Sequence, residues 1–266
     1  MNPITHLSFH ATVRFLVGSL CAAAMIAAAD EDAKEKSVEF GYQVKTSVSV
    51  GEEAQPKAAD FRKDAEKGIA EAQHNLAVSY ERGDGVKKNP REAFKWYSKA
   101  AEQGYAPSQN MVGAYYYQGL AVKQNPAEAI KWFRKAAEQN DAQALGNLAV
   151  CYDEGFGVDK DPKQAFKLYL KASELGNESA QTNVGVCFLE GSGTEKNPAE
   201  AVKWFRKAAE HGDAAGQCNL ALCYADGIGV TPDPAAAAKW AEKAAKQGYE
   251  DAQTLLKRLQ STKQGK

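Results

Sequence analysis

From Lys57 onward, small, aliphatic and aromatic residues recur in a fixed order. Leu76 and Tyr80 stand four apart with Ala72 one turn before them, which at about 100° per residue places all three on one face of a helix. The same face returns as Ser108, Val112 and Tyr116, as Ala144, Leu148 and Tyr152, as Ala180, Val184 and Phe188, and as Gly216, Leu220 and Tyr224, each set 36 positions after the last. The residue following each aliphatic one is small: Ala77, Gly113, Ala149, Gly185 and Ala221. That column predicts a notch into which a neighbouring helix packs. A second pattern, Ala93, Trp96, Tyr97 and Ala100, is echoed by Ala129, Trp132, Phe133 and Ala136 and by Ala201, Trp204, Phe205 and Ala208. It predicts a second helix whose aromatic pair supplies most of the buried area, with alanines that let the helices approach.

The punctuation fits helix pairs. Gly68, Gly104, Gly176, Gly212 and Gly248 follow the second helix, where the left-handed conformation is favoured, and Asn140 takes that place once. The other connection reads GDGVKKNP, GFGVDKDP or GIGVTPDP, and its proline opens the second helix, where a missing N–H costs nothing. The array begins with a lone second helix, about 57–67 around Phe61. It ends with a lone first helix, DAQTLLKRLQ, in which Leu255, Leu256 and Leu259 replace the usual small and aromatic residues, as expected of a cap. A period of this length without insertion marks a solenoid of supersecondary units, each unable to bury its apolar side alone.

The N-terminal residues follow different rules. Residues 1–29 carry one basic residue, Arg14, then an uncharged apolar run from Phe15 to Ala29, and Ala-Ala-Ala before Asp30. This is the layout of a cleaved secretory signal; an uncleaved anchor is the alternative, although the run falls short of the roughly 20 residues needed to span a bilayer. Leu20 before Cys21 argues against lipidation. Residues 30–56 form a linker in which Val38, Phe40, Tyr42 and Val44 alternate, as in a short strand or a solvated tether. The expected organisation is therefore 1–29 signal, 30–56 linker, 57–260 array and 261–266 tail.

The unit AQHNLAVSYERGDGVKKNPREAFKWYSKAAEQGYAP closely resembles the Sel-1-like repeat, a relative of the tetratricopeptide repeat with a longer Gly-x-Gly-Val connection. The resemblance covers about 57–260 and implies an all-α fold, a right-handed superhelical solenoid of antiparallel helix pairs that binds proteins or peptides. Pentatricopeptide arrays, which read RNA, have a similar period but lack this connection.

Charge excludes little else. With 33 basic and 34 acidic residues the chain has no bulk bias toward nucleic acid or anionic lipid. Lys95, Lys131, Lys167, Lys203 and Lys239, with Lys99, Lys135, Lys171, Lys207 and Lys243, form two basic columns that could suit RNA. Glu102, Glu138, Glu174 and Glu210 follow the second column by three residues and are expected to neutralise it. No nucleic-acid partner and no stable membrane span after signal cleavage are expected.

Catalysis finds no support. Beyond the signal the histidines are His74 and His211, several units apart, so no catalytic residue, metal or cofactor is expected. Some cysteine-rich relatives have been linked to β-lactams, which leaves a β-lactam or cell-wall-fragment binder with weak hydrolase activity as the alternative function. The cysteine-rich relatives pair a late second-helix residue with an early residue of the next first helix, and those positions hold residues such as Ala101 and Gln109 here. Cys151, Cys187 and Cys223 share one column, too far apart for disulfides if stacked helices lie about 9–10 Å from one another; buried free thiols are expected.

If Leu76 and Tyr80 face the core, Asn75, Val78 and Arg82 face the other way, the face that lines the concave groove of tetratricopeptide-like arrays. Three columns result: Asn75, Met111, Asn147, Asn183, Asn219; Val78, Ala114, Val150, Val186, Leu222; and Arg82, Gln118, Glu154, Glu190, Asp226. An aliphatic floor with amides on one side and charge grading from Arg82 to Asp226 suits an extended peptide, with a basic stretch toward the C-terminal end. The asparagines could instead join neighbouring repeats. The expected protein is an exported interaction scaffold of the bacterial periplasm or a secreted one.

Overall fold

The computed structural model describes residues 58–264, with side chains to Ser261; the signal and linker expected over residues 1–56 lie outside the described residues. Helices follow one another throughout: α1 (Ala58–Glu66), α2 (Ala70–Arg82), α3 (Pro90–Glu102), α4 (Ala106–Gln118), α5 (Pro126–Glu138), α6 (Ala142–Glu154), α7 (Pro162–Glu174), α8 (Glu178–Glu190), α9 (Pro198–Glu210), α10 (Ala214–Asp226), α11 (Pro234–Lys246) and α12 (Glu250–Gln264). The fold is an all-α solenoid of helix pairs. The described residues form two compact units, divided between residues 135 and 136. In the first, α2 packs on α1 and α3, and α3 on α4. In the second, α6 to α12 each pack on the next helix, and α10 also touches α8 and α12 one repeat away on either side.

The small column is the notch it was expected to be. A β-carbon added to Gly113 would lie 2.6 Å from the ring of Phe133, and one added to Gly185 would lie 2.5 Å from Phe205, both well inside contact distance. Where the notch residue is Ala77 or Ala149, the residue twenty positions on is Tyr97 or Tyr169. All four aromatic rings are fully buried. Burying side chains of this size contributes about 1.5–3 kcal/mol each. The tryptophans behave differently from expectation: Trp96 is buried, but Trp132, Trp204 and Trp240 are only half-buried. Each of the four lies under a lysine three residues on, with Nζ 3.9 Å from the ring centroid for Lys99, 4.3 Å for Lys135, 5.0 Å for Lys207 and 4.1 Å for Lys243. The other basic column is met from its N-terminal side, by Glu92 for Lys95, Glu128 for Lys131 and Glu200 for Lys203. The glutamates expected to neutralise the lysines are thus not the ones in these pairs, because Lys99, Lys135, Lys207 and Lys243 of the second column lie over tryptophan.

Buried amides join the pairs. Gln73, Gln109 and Gln217 donate through Nε2 to the carbonyls of Ala65, Ala101 and Ala209 at the end of the preceding helix. Gln103 and Gln247, 30 positions on, donate back to Gln73 and Gln217. In the third repeat both partners change together, to Leu145 and Leu175. Second helices are capped by residues the pattern analysis passed over: Asn89, Asn125, Asp161, Asn197 and Asp233 each accept from a backbone N–H of the first turn. α12 closes the stack with Ala252 and Leu255 buried and Leu256 and Leu259 packed beside them, and it runs on to Gln264.

Among the described residues, two turn positions use positive φ without glycine, Ala121 (59°) and Asn140 (61°). Ala121 replaces the second glycine of the Gly-x-Gly connection. Gly193 at the equivalent position adopts 72°, and a β-carbon there would overlap the carbonyl oxygen of Pro162 in the preceding repeat. Ala121→Gly should therefore stabilise the protein by about 1 kcal/mol. Gly193→Ala should destabilise it by at least about 2 kcal/mol, since backbone strain and overlap add. Urea unfolding of the two variants checks both signs.

Candidate functional site: the first-helix wall

The proposed groove residues lie on the first helices and are taken unit by unit. In residues 58–135, Asn75 and Val78 on α2 are half-buried and Arg82 is exposed, while Met111 and Ala114 on α4 are buried. In residues 136–266 the same register recurs three times: Asn147, Val150 and Glu154 on α6, Asn183, Val186 and Glu190 on α8, and Asn219, Leu222 and Asp226 on α10. Asn147, Val150, Asn183 and Leu222 are half-buried, Glu154 and Asp226 exposed. Val186 on α8 and Asn219 on α10, by contrast, are buried at 8% and 4% exposure; α8 and α10 touch one another, and α10 also touches α12. The wall is thus more enclosed than a helical wheel implies. A wheel separates core from solvent; it does not register the next first helix one repeat away.

Two side chains stand out. Asn219 Nδ2 is buried with no hydrogen-bond partner, an arrangement that costs about 1–3 kcal/mol. The residue one repeat on is Leu255, which offers no acceptor. Asp226 is already engaged: Arg258 Nη2 lies 3.0 Å from Oδ1 and 3.3 Å from Oδ2. Sequence reading missed Arg258, although continuing the Val78 column by one more repeat from Leu222 leads to it.

The electrostatics argue against nucleophilic chemistry at the cysteines. Cys151, Cys187, Cys218 and Cys223 are free and buried. Burial pushes the thiols of Cys187, Cys218 and Cys223 up to about 12, assisted by Asp153 and Glu190 at Cys187, by Asp251 at Cys218 and by Asp226 at Cys223. At neutral pH such thiols are protonated and unreactive. His74 is held neutral by burial, which lowers its pKa to about 4. Its Nδ1 lies 2.9 Å from Ser108 Oγ across the repeat joint, between the rings of Tyr97 and Tyr105. Asp213 is shifted upward by burial while its Oδ2 accepts from Thr182 Oγ1 and the Gly216 N–H. These polar groups tie repeats together. Among the described residues no group of three His, Cys, Asp or Glu side chains is arranged to hold a metal, and no helix is long and apolar enough to cross a membrane.

The Sel1 repeat matches five times in succession, over residues 70–105, 106–141, 142–177, 178–213 and 214–249. A Sel1 repeat protein of Oxalobacter formigenes is 36% identical, with 75% of this chain and 82% of that one covered and a TM-score of 0.68. The c5321 protein of uropathogenic Escherichia coli, described as a protective antigen with an SLR fold, is 38% identical with a TM-score of 0.64, covering 74% of this chain but only 42% of its own. A Sel1 repeat protein of Klebsiella pneumoniae is 18% identical, covers 77% of this chain and all of its own, and shares the fold at a TM-score of 0.53. No curated protein matches. The chain belongs to the Sel1 repeat family. Members of that family are in general non-catalytic scaffolds that bind other proteins.

Two measurements test the electrostatic picture. Iodoacetamide at pH 8 should leave Cys151, Cys187, Cys218 and Cys223 unmodified in the native protein and alkylate all four in urea, as read by peptide mass mapping. The C2 proton of His74 should titrate by NMR with a midpoint of about 4. Since folding lowers this pKa, the contribution of His74 to stability is present above pH 6.5 and is lost as pH falls toward 4. A midpoint of 6.5 would show an exposed ring instead.

Proposed function

We propose that the protein is an exported scaffold, periplasmic or secreted, that holds an extended protein or peptide segment against its first-helix wall. One observation carries the reading: an amide, an aliphatic side chain and a carboxylate recur at one register on α6, α8 and α10, which is how a surface meets a polymer of regular repeat. The amides suit main-chain groups, the aliphatic positions suit apolar side chains, and the carboxylates suit a basic stretch. The partner contacts are assigned unit by unit, to Asn75 and Arg82 in the first and to Asn147, Val150, Glu154, Asn183, Val186, Glu190, Asn219 and Asp226 in the second. The apolar run of residues 15–29 supports export, and the description of the E. coli relative as a protective antigen is in keeping with it. The alternative reading, a β-lactam or cell-wall-fragment binder with weak hydrolase activity, finds no support at Cys187, Cys218 and Cys223, whose thiols burial keeps protonated.

The test places a photo-crosslinking residue at Val150, or at Lys203 on the outer face, in the full chain in its native compartment. Crosslinks to polypeptide are expected from Val150 and not from Lys203. Joint replacement of Asn147 and Asn183 by alanine should lower capture about fivefold, a loss of about 1 kcal/mol, with the melting temperature nearly unchanged. A large thermal loss with capture intact would make the asparagines structural.

A further inference from the structure

On most second helices the lysine columns are satisfied within the helix itself. The first lysine meets a glutamate three residues before it on α3, α5 and α9, as Lys95 with Glu92, Lys131 with Glu128 and Lys203 with Glu200. The second lies over a tryptophan three residues before it on α3, α5, α9 and α11. α11 keeps the tryptophan but has Ala236 in place of the glutamate. On α7 both partners are replaced: Gln164 stands three residues before Lys167, and Leu168 three before Lys171. Lys163 adds a third charge at a position that is alanine on α5, α9 and α11. Among the described residues none of these three lysines is in an ion pair or over a ring. All three are exposed, and their four-residue spacing runs on to Leu175, which is exposed as well. The first turn of α7 holds no acidic residue, and its one carboxylate, Glu174, is its last residue.

We propose that the exposed face of α7 docks an acidic helical segment of a partner protein, its carboxylates four residues apart against Lys163, Lys167 and Lys171 and an aliphatic side chain against Leu175. The surface belongs to a second helix and is separate from the first-helix wall, so it stands whether or not that wall holds a polypeptide. Charge complementarity selects an acidic occupant, because three neighbouring ammonium groups repel one another until an anion lies between them. The spacing selects a helix. Four residues at a rise of 1.5 Å carry the chain about 6 Å, so a second helix repeats the step of the lysines contact for contact. Rows of side chains four apart are also the ridges by which helices pack against one another. Leu168, half-buried one turn before Lys171, and Leu175, one turn after it, give such a segment aliphatic contacts beside the charges.

The test uses the full chain and fluorescently labelled, alanine-rich peptides that are helical by circular dichroism, followed by anisotropy at low salt. A peptide with glutamates at i, i+4 and i+8 and a leucine one step beyond either end should bind at least about threefold more tightly than one of the same composition with its glutamates spread around the helix. Lys167→Gln should lower that affinity about threefold. Gln164→Glu, which gives Lys167 the partner its counterparts have, should lower it by as much while the melting temperature holds or rises. Lys203→Gln should leave it nearly unchanged, since that ammonium is already paired with Glu200. Equal binding of the two peptides, no effect of Gln164→Glu, an equal loss from Lys203→Gln, or no binding of either peptide overturns the proposal. Retention of the chain on phosphatidylglycerol vesicles with the peptides unbound would make the face a lipid contact and overturns it too.

Discussion

The structure depends on how closely a first helix can approach the helix that follows it. That distance is set where a small residue faces an aromatic ring: Gly113 against Phe133 and Gly185 against Phe205, with no room for one more carbon. Interiors this dense transmit size changes directly, so the two positions are constrained as a pair. The glycine notches face phenylalanine, and Ala77 and Ala149 stand twenty positions before tyrosine; in the last full repeat Ala221 precedes Ala241 by the same interval, and both are buried. Everything further out, including the spacing of the columns on the wall, inherits its regularity from this contact.

Polar groups then fix the order in which pairs stack. Burial of apolar surface is indifferent to register, whereas a glutamine that donates to one carbonyl of the preceding helix is not. Gln73, Gln109 and Gln217 make that contact, and Asn177 does related work from a helix cap, donating to Ala142 O and Gln143 Oε1 one repeat back. The third repeat replaces the Gln–Gln pair by Leu145 and Leu175 together. An amide facing a leucine would leave a polar group unmatched, so the two positions change as a unit. Leu175 is 45% exposed as a result, one of the few large apolar side chains at the surface.

Much of this was legible in the sequence because a strict 36-residue period turns one local pattern into many. The turn glycines, the left-handed Asn140, the prolines that open second helices and the buried thiols all follow from residue type and spacing. What spacing cannot show is where a long side chain goes. Lys99 folds onto Trp96 instead of toward Glu102, and Lys135, Lys207 and Lys243 do the same on the half-buried Trp132, Trp204 and Trp240. The enclosure of Val186 and Asn219 depends on the neighbouring first helices, which a single-helix wheel leaves out. Arg258 is not legible from the repeat itself, because the five matched repeats end before it, although its column continues from Leu222 into the cap.

A stack of like units has an inherent tendency to go on, since the surface offered by each hairpin is the surface that receives the next one. Two molecules with bare ends would join head to tail, and a heterologous contact of that kind does not close but grows into fibres. The far side of α12, with Gln253, Thr254, Lys257 and Gln260 exposed, denies such a neighbour its oily seat. The leucines beneath pack into the last joint, and the hydrophilic back of α12 offers no apolar seat to a further hairpin.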